Sequence, residues 1–189
     1  TWPSSQIFSD EVGAAAAYEL GRILNGFYQE VRGEEFVTFN PGLIASSTQV
    51  DFNQQPLGAT LSRKNNIVTP VAIASGDLRT LTVKQLEDTR AKMRKVVAAN
   101  LPNTSAEIEF TDNYPPMAPT DGNRKLLSMY DGVSQDLGFG PVTEVNPRNA
   151  GAADISFAAD HVDMALDGLG LLGGGSHTPD EFADLRTYQ

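Results

Sequence analysis

The chain has 189 residues, and its formal net charge of -10 disfavours binding to the phosphate backbone of nucleic acids. It contains no cysteine, which excludes disulfides, thiolate zinc sites and cysteine nucleophiles, so any metal must be bound by His, Asp or Glu. The hydrophobic fraction is 40%, yet no apolar run approaches the roughly 18 residues that cross a bilayer. We expect a soluble globular protein with no membrane partner, either cytoplasmic or exported after loss of a leader.

The first half of the chain alternates helical and extended patterns. Ser9 to Val31 is predicted to be an amphipathic helix capped by Ser9, and the ranges 36–52 and 59–81 read as extended segments. A second helix should start at a capping box formed by Thr82 and Gln85. This helix should end near Asn100 and Pro102, before an alternating strand over 105–112.

The predicted order is helix, strand, strand, helix, strand. It is one leading strand short of the split β-α-β-β-α-β sandwich, in which two helices cover one face of an antiparallel sheet. We therefore expect that the first strand is missing from this chain or is supplied by another chain.

A proline-rich stretch over 112–123 reads as a linker to a second module. Asn123 to Leu137 should form a helix closed by Gly138. Short strands are predicted at 141–145 and 162–170, with an apolar turn or helix at 155–159 between them. These pieces alternate as in an α/β domain but are too few to close one, so they resemble the last third of a larger domain.

The stretch "GLGLLGGGSHTPDEF" near the end of the chain contains a G-x-G-x-x-G pattern at Gly168, Gly170 and Gly173. A dinucleotide site is rejected. That motif needs a long helix directly after the third glycine and an acidic residue about 20 positions further on within a βαβ unit, and neither is present here. His177 has two interpretations. The following "TPDE" is a capping box, so the histidine could simply precede a helix; alternatively, a helix N-terminus keeps the imidazole neutral, as a metal ligand must be.

Three other polar residues also have structural alternatives to a role in a site. Asp154 precedes an apolar segment and would ordinarily be a helix N-cap. Arg79 lies beside Asp77 near the end of a strand, where an ion pair within the sheet is the ordinary expectation. Asn66 would normally be a turn residue.

Several segments, in order, resemble the dinuclear-zinc exopeptidases and deacylases that include glutamate carboxypeptidase, aminoacylase, acetylornithine deacetylase and succinyl-diaminopimelate desuccinylase. The resemblance covers nearly the whole chain. It rests on the order and spacing of "SSQIFSDEVGAAAAYELGRILNGFY", "FNPGLIASST", "NNIVTP", "GDLRTLT", "YPPMAPTDGN", "AGAADISF" and "GLLGGGSHTPDE". It implies a ferredoxin-like lid or dimerisation domain over 1–113 that lacks its first strand, followed over 114–189 by the incomplete C-terminal part of an α/β zinc-peptidase catalytic domain.

The resemblance also implies roles for single residues. His177 matches the last zinc ligand of the family, and Asn66 and Arg79 match positions on the lid that bind the substrate. Five further residues match positions around the family's active site. Gly174, Gly175 and Ser176 would line the substrate cleft, and Gly151 and Asp154 would support the pocket. The cofactor implied is a pair of zinc ions, which activate a water for amide hydrolysis.

The same resemblance places the general-base glutamate and the remaining zinc ligands in an N-terminal half that this sequence does not contain. One histidine cannot hold zinc, so this chain alone is expected to be inactive. The family also carries a lid histidine just before the segment that "SSQIF" resembles, where this sequence has Trp2 and Pro3; we expect either that this histidine was lost or that the chain start is not the natural one.

The expected partners are the missing zinc-binding half, a small substrate with a free carboxylate, and a second copy that pairs through the lid. Two alternatives remain open at this stage. One is a non-catalytic dimerisation or regulatory module of the same fold, and the other is a binding protein for small carboxylates.

Overall fold

The computed structural model describes residues 13–55, 57–61, 66–176 and 178–187. Helices and short antiparallel sheets are mixed in an α+β arrangement. The described residues form two compact units, one ending at Pro116 and the other beginning at Met117. Among the described helices, none is both long and apolar enough to span a membrane.

The first helix, α1, spans Ala16–Gly26 and continues directly into a wider π-helical turn at Phe27–Val31. The predicted start at Ser9 is wrong in one respect: Gly13 has a φ of 72°, and residues 13–15 are not helical. Ser9 itself lies outside the described residues. Ala15 occupies the N-cap position without a side-chain hydrogen bond, so α1 begins without the serine cap that the sequence suggested.

Four strands follow α1, and they form two antiparallel pairs. Strands β1 and β4 pair along their whole length, from Thr38 opposite Arg79 to Ser47 opposite Val71. A bulge between Pro41 and Leu43 interrupts the register. The second pair, β2 and β3, is a hairpin. The strand bounds are β1 Thr38–Ser47, β2 Val50–Gln54, β3 Leu57–Leu61 and β4 Val71–Arg79.

The second helix, α2, spans Val83–Ala98 and confirms the predicted capping box. The Thr82 hydroxyl accepts a hydrogen bond from the Gln85 amide at 3.1 Å, and the Gln85 side chain accepts one from the Leu81 amide at 3.0 Å. These two bonds satisfy amides at the helix start that have no partner within the helix. Buried side chains on one face of α2 form the core of the first unit with α1: Thr89, Met93, Val96 and Val97.

The range 105–112 belongs to no sheet among the described residues, so the predicted strand is not formed there. Its side chains nevertheless alternate between half-buried and exposed from Ser105 to Thr111, as in a strand with one covered face. Phe110 faces α2, where the guanidinium groups of Arg90 and Arg94 each lie 5.0 Å from its ring centroid.

The second unit is built around α3, Asp121–Asp136. Thr120 caps it by accepting a hydrogen bond from the Asn123 amide at 3.1 Å. Gly138, with a φ of 80°, follows its end, as the sequence predicted.

The strands predicted at 141–145 and 162–170 are not formed, and these ranges are irregular. The apolar turn or helix predicted between them is confirmed as short 3₁₀ turns at Asp154–Phe157 and Ala159–His161. The remaining short elements are a 3₁₀ turn at Pro147–Asn149, the strands β5 Gly173–Gly174 and β6 Phe182–Ala183, and a final 3₁₀ turn at Leu185–Thr187.

Candidate functional site

The glycine-rich stretch forms a narrow hairpin. Strand β5 pairs antiparallel with β6, with Gly173 opposite Ala183 and Gly174 opposite Phe182. The ladder continues one step outward, where the Asp184 amide donates to the Leu172 carbonyl at 2.7 Å. The loop over 175–181 therefore projects from a short but regular base.

The close approach of the two strands explains why glycine is required here. A Cβ on Gly173 would lie 2.3 Å from the Phe182 carbonyl oxygen, and one on Gly175 would lie 2.7 Å from the Asp180 carbonyl oxygen. Gly175 also has a φ of 69°, a conformation that residues with a side chain rarely adopt. The glycines are thus explained by backbone geometry, which agrees with the rejection of a dinucleotide-binding motif.

No helix starts within the loop. Thr178 bonds backwards instead, since its hydroxyl donates to the Gly175 carbonyl at 2.6 Å, and the Glu181 amide donates to the Thr178 carbonyl at 3.2 Å. The loop is a turn stabilised by its own threonine, and the helix that "TPDE" suggested is not formed. The argument that a helix dipole keeps His177 neutral therefore fails, because no helix follows that residue.

His177 lies outside the described residues. Its neighbours Ser176 and Thr178 are exposed, as are Asp180 and Glu181 on the returning side of the loop. In the part of the chain that the structure describes, no three His, Cys, Asp or Glu side chains are grouped so that they could hold a metal.

Asp184 and Arg186, just after β6, form a local ion pair at the base of the hairpin. The Arg186 guanidinium donates to both carboxylate oxygens of Asp184, at 2.8 and 2.6 Å. These bonds favour the charged carboxylate and hold the pKa of Asp184 below its ordinary value. The two sides of the base are joined by a further bond, in which the Leu172 amide donates to the Thr187 hydroxyl at 3.0 Å.

Asn66 and Arg79 both lie in the first unit. Asn66 comes before β4, and Arg79 is at its end. Arg79 is the last residue of β4, and its Nε donates to Asp77 Oδ2 at 3.0 Å. The ion pair expected within the sheet is therefore present, although the Arg79 side chain remains 67% exposed. Asn66 is exposed and precedes the first residue of β4, Val71.

Asn66 and Arg79 are separated along the chain by the whole of β4. The eight residue steps of β4 from Val71 to Arg79 cover about 26 Å at the usual rise of a strand. No hydrogen bond among the described residues joins Asn66 to Arg79.

The two pocket-support residues lie in the second unit. Gly151 has open space around the position of a Cβ, so it has no packing requirement for glycine. Asp154 is the first residue of the 3₁₀ turn Asp154–Phe157, and Ala153 is its N-cap. The N-cap role considered for Asp154 is therefore wrong by one position.

One buried carboxylate was missed by the sequence reading. Glu19 is only 2% exposed and lies on the inner face of α1 with Ala15 and Ile23. It accepts hydrogen bonds from Arg22 Nε at 3.1 Å, from Arg22 Nη2 at 2.6 Å and from the Leu101 amide at 2.9 Å. The spacing 15, 19, 23 is that of a buried helical face, and the arginine three residues later was the available signal for a buried pair.

Arg22 extends this network to α2 by donating from Nη1 to the Val96 carbonyl at 2.9 Å. The hydrogen bonds from Arg22 lower the pKa of Glu19 below its ordinary value of 4.5, and this effect outweighs the opposing effect of burial. The Glu19–Arg22 pair thus joins α1, the end of α2 and the chain that follows α2. Its role is structural, because it binds together elements of the first unit.

Comparisons of the chain with protein-family models, with curated proteins and with solved structures give no match.

Proposed function

We propose that this chain is the lid and the C-terminal catalytic segment of a zinc-dependent metallopeptidase or amidohydrolase. The proposed reaction is hydrolysis of the amide bond of small peptides or N-acyl amino acids that carry a free carboxylate. The observation that carries the proposal is the glycine hairpin of β5 and β6, whose tied base projects the loop that contains His177. The resemblance of sequence motifs supplies the identification of that histidine as a zinc ligand.

This chain can supply one ligand to the proposed zinc site, the imidazole of His177. A neutral imidazole is a good zinc ligand, and the glycines that precede His177 allow the two sides of the hairpin to approach closely. Zinc in such sites is four-coordinate, so the other protein ligands and the general base must come from a part of the protein outside this sequence. When bound, zinc would supply an activated water for attack on the amide carbonyl.

Arg79 is suited to bind the substrate carboxylate. Its Nε is used by Asp77, whereas its two terminal nitrogens make no hydrogen bond among the described residues. These nitrogens can form a bidentate pair with a carboxylate. We propose that Asn66, which precedes β4, and Arg79, which ends it, both contact the substrate from the lid, as the resemblance implies.

The finer fold assignment is part of the same proposal. Antiparallel β1 and β4, with α1 and α2 in contact with each other, are the arrangement expected for a split β-α-β lid. The range 105–112, with one half-covered face, is where the last strand of that fold would lie. A homodimer through the lid would use the outward face of α1, where Gly21 has no atom within 4 Å of a Cβ position.

The proposal predicts selectivity for the substrate carboxylate. Protein purified with the polypeptide that completes its zinc site should hydrolyse an N-acyl amino acid faster than the corresponding amino acid amide. Arg79→Gln should raise KM at least about tenfold for the acid and leave the amide unaffected, because one bidentate pair is removed. Arg32→Gln is the matched control, since Arg32 bonds to Tyr28 at 2.8 Å on the exposed side of the helix.

Equal KM changes for acid and amide would contradict the role of Arg79. A purified protein that has no companion polypeptide and hydrolyses neither substrate would instead favour the non-catalytic module.

A further inference from the structure

Helix α3 carries apolar side chains on two sides. On its inner side Leu126 and Leu127 are half-buried and Ser134 is buried. On another side Met129 is 58% exposed and Val133 is 56% exposed. A helix that is exposed on one side ordinarily has polar residues there, so the second apolar side of α3 indicates a contact with something beyond the described unit.

The exposed side has a specific order of residues, which we call the α3 stripe: Lys125, Met129, Gly132 and Asp136. The spacing of four, three and four residues places these residues on one line along the helix. Lys125 and Asp136 are exposed at its two ends, about 16 Å apart along the axis, and neither takes part in an ion pair among the described residues. Gly132 has nothing within 4 Å of a Cβ position, so it leaves a notch beside Met129.

The α3 stripe of one chain matches, in charge and in shape, the α3 stripe of a second chain that runs in the opposite direction. Turning one helix end to end about the midpoint of the stripe brings Lys125 opposite Asp136, and Met129 opposite Gly132. Two identical helices packed antiparallel would therefore place a long apolar side chain in each notch and an opposite charge at each end. A two-fold axis makes both contacts occur twice.

We propose that α3 is a self-association surface on which a second copy of this chain packs its own α3 antiparallel. The charge complementarity of the stripe selects a second copy over an unrelated helix, because the same surface supplies both members of each pair. Val133 lies beside the stripe and adds apolar area to the contact. This contact is separate from the proposed lid contact on α1, and a chain that uses both would assemble beyond a dimer.

The test is sedimentation equilibrium of the full chain. Lys125→Glu and Asp136→Lys should each raise the dissociation constant of the α3 contact at least about tenfold, because each places like charges together twice. The double variant Lys125→Glu/Asp136→Lys should restore the constant to within about threefold of the starting protein, since the opposite-charge pairs are re-formed in reverse.

A second variant tests the notch. Gly132→Leu should raise the dissociation constant more than about tenfold by filling the notch, while the monomer should fold at least as well, because leucine favours helix over glycine. Gly170→Leu is the matched control: it is an exposed glycine outside α1 and α3 with equally open surroundings, and it should leave the α3 contact unchanged.

Rescue by the double charge variant, together with loss of association in Gly132→Leu, would support the proposal. A monomer at about 100 µM, a concentration at which weak contacts are populated, would overturn it and assign the apolar side of α3 to a different polypeptide. An assembly whose mass none of the α3 variants changes would overturn it as well.

Discussion

Replacing Glu19 by glutamine removes the charge from the most highly connected buried carboxylate among the described residues. The Glu19 side chain is 3% exposed and that of Arg22 is 24% exposed, so solvent screens their pairing only in part. Hydrogen bonds to a charged partner are worth about 1.5–3 kcal/mol each, and leaving one member of a buried pair alone costs about 3–5 kcal/mol. Glutamine can still accept from the Leu101 amide, so we expect Glu19→Gln to lower the free energy of unfolding of the first unit by about 2–3 kcal/mol.

The stability that Glu19→Gln loses should depend on pH in a defined direction. The pKa of Glu19 is lowered in the folded protein from an ordinary value of 4.5, so the unfolded chain binds a proton at higher pH than the folded chain does. The stabilisation is therefore complete above the ordinary pKa and is lost as pH falls through the lower folded pKa. The difference between wild type and Glu19→Gln should therefore be constant well above the ordinary pKa of 4.5 and should shrink as the pH falls below it.

Urea unfolding followed by circular dichroism measures this difference across the pH range. Glu87→Gln is the control, because Glu87 is exposed on α2 and makes no hydrogen bond among the described residues. Two results would refute the claim that the ionised carboxylate of Glu19 stabilises the first unit. One is a Glu19→Gln protein as stable as wild type at neutral pH, and the other is a stability difference that stays constant on acidification.

Two further stability changes follow from local geometry. Gly173→Ala should disrupt the β5–β6 hairpin, because the added Cβ would meet the Phe182 carbonyl oxygen; accelerated exchange of the Asp184 amide, which donates to the Leu172 carbonyl, would show this, and unchanged exchange would contradict the close approach. Thr82→Ala should destabilise α2 by about 1 kcal/mol in urea unfolding through loss of the N-cap bond, whereas a cost near zero would mean that Gln85 alone suffices to cap the helix.

Helix α2 was predictable because its signals are local. The hydroxyl of Thr82 and the amide of Gln85 lie three residues apart and meet as soon as one helical turn forms. The end of α3 at Gly138 is similar. The start of α1 was misplaced because polar residues that could cap a helix at Ser9 do not determine whether the backbone at Gly13 continues it.

Strands were predicted less well because a strand depends on a distant partner. The range 105–112 has the alternation of a strand but no ladder among the described residues, and 141–145 and 162–170 are irregular. The hairpin of β2 and β3 was not foreseen as a separate element, although the ranges expected to be extended, 36–52 and 59–81, each cover part of one of its strands. The glycine run was correctly expected to be a loop with close backbone contacts, but the strand pairing that imposes those contacts was not visible in the sequence.

The residues of the candidate site followed from resemblance more than from physical pattern. Local sequence favoured ordinary roles for Arg79 and Asp154, and the structure shows the ion pair of Arg79 with Asp77. An ordinary ion pair and a substrate contact are compatible at Arg79, because the pair occupies only one of its nitrogens. Glu19, in contrast, could have been found from the period of the buried face of α1.

The proposed zinc site is tested most directly by native mass and zinc content, measured together on the purified protein. The proposal predicts a complex larger than this chain that holds about two zinc ions per copy, as two-metal hydrolysis requires. His177→Ala should lose zinc, and His161→Ala, which changes an exposed histidine at the end of a 3₁₀ turn, should retain it. A chain that binds no zinc and has no companion polypeptide, or a zinc content unchanged in His177→Ala, would contradict the proposed function.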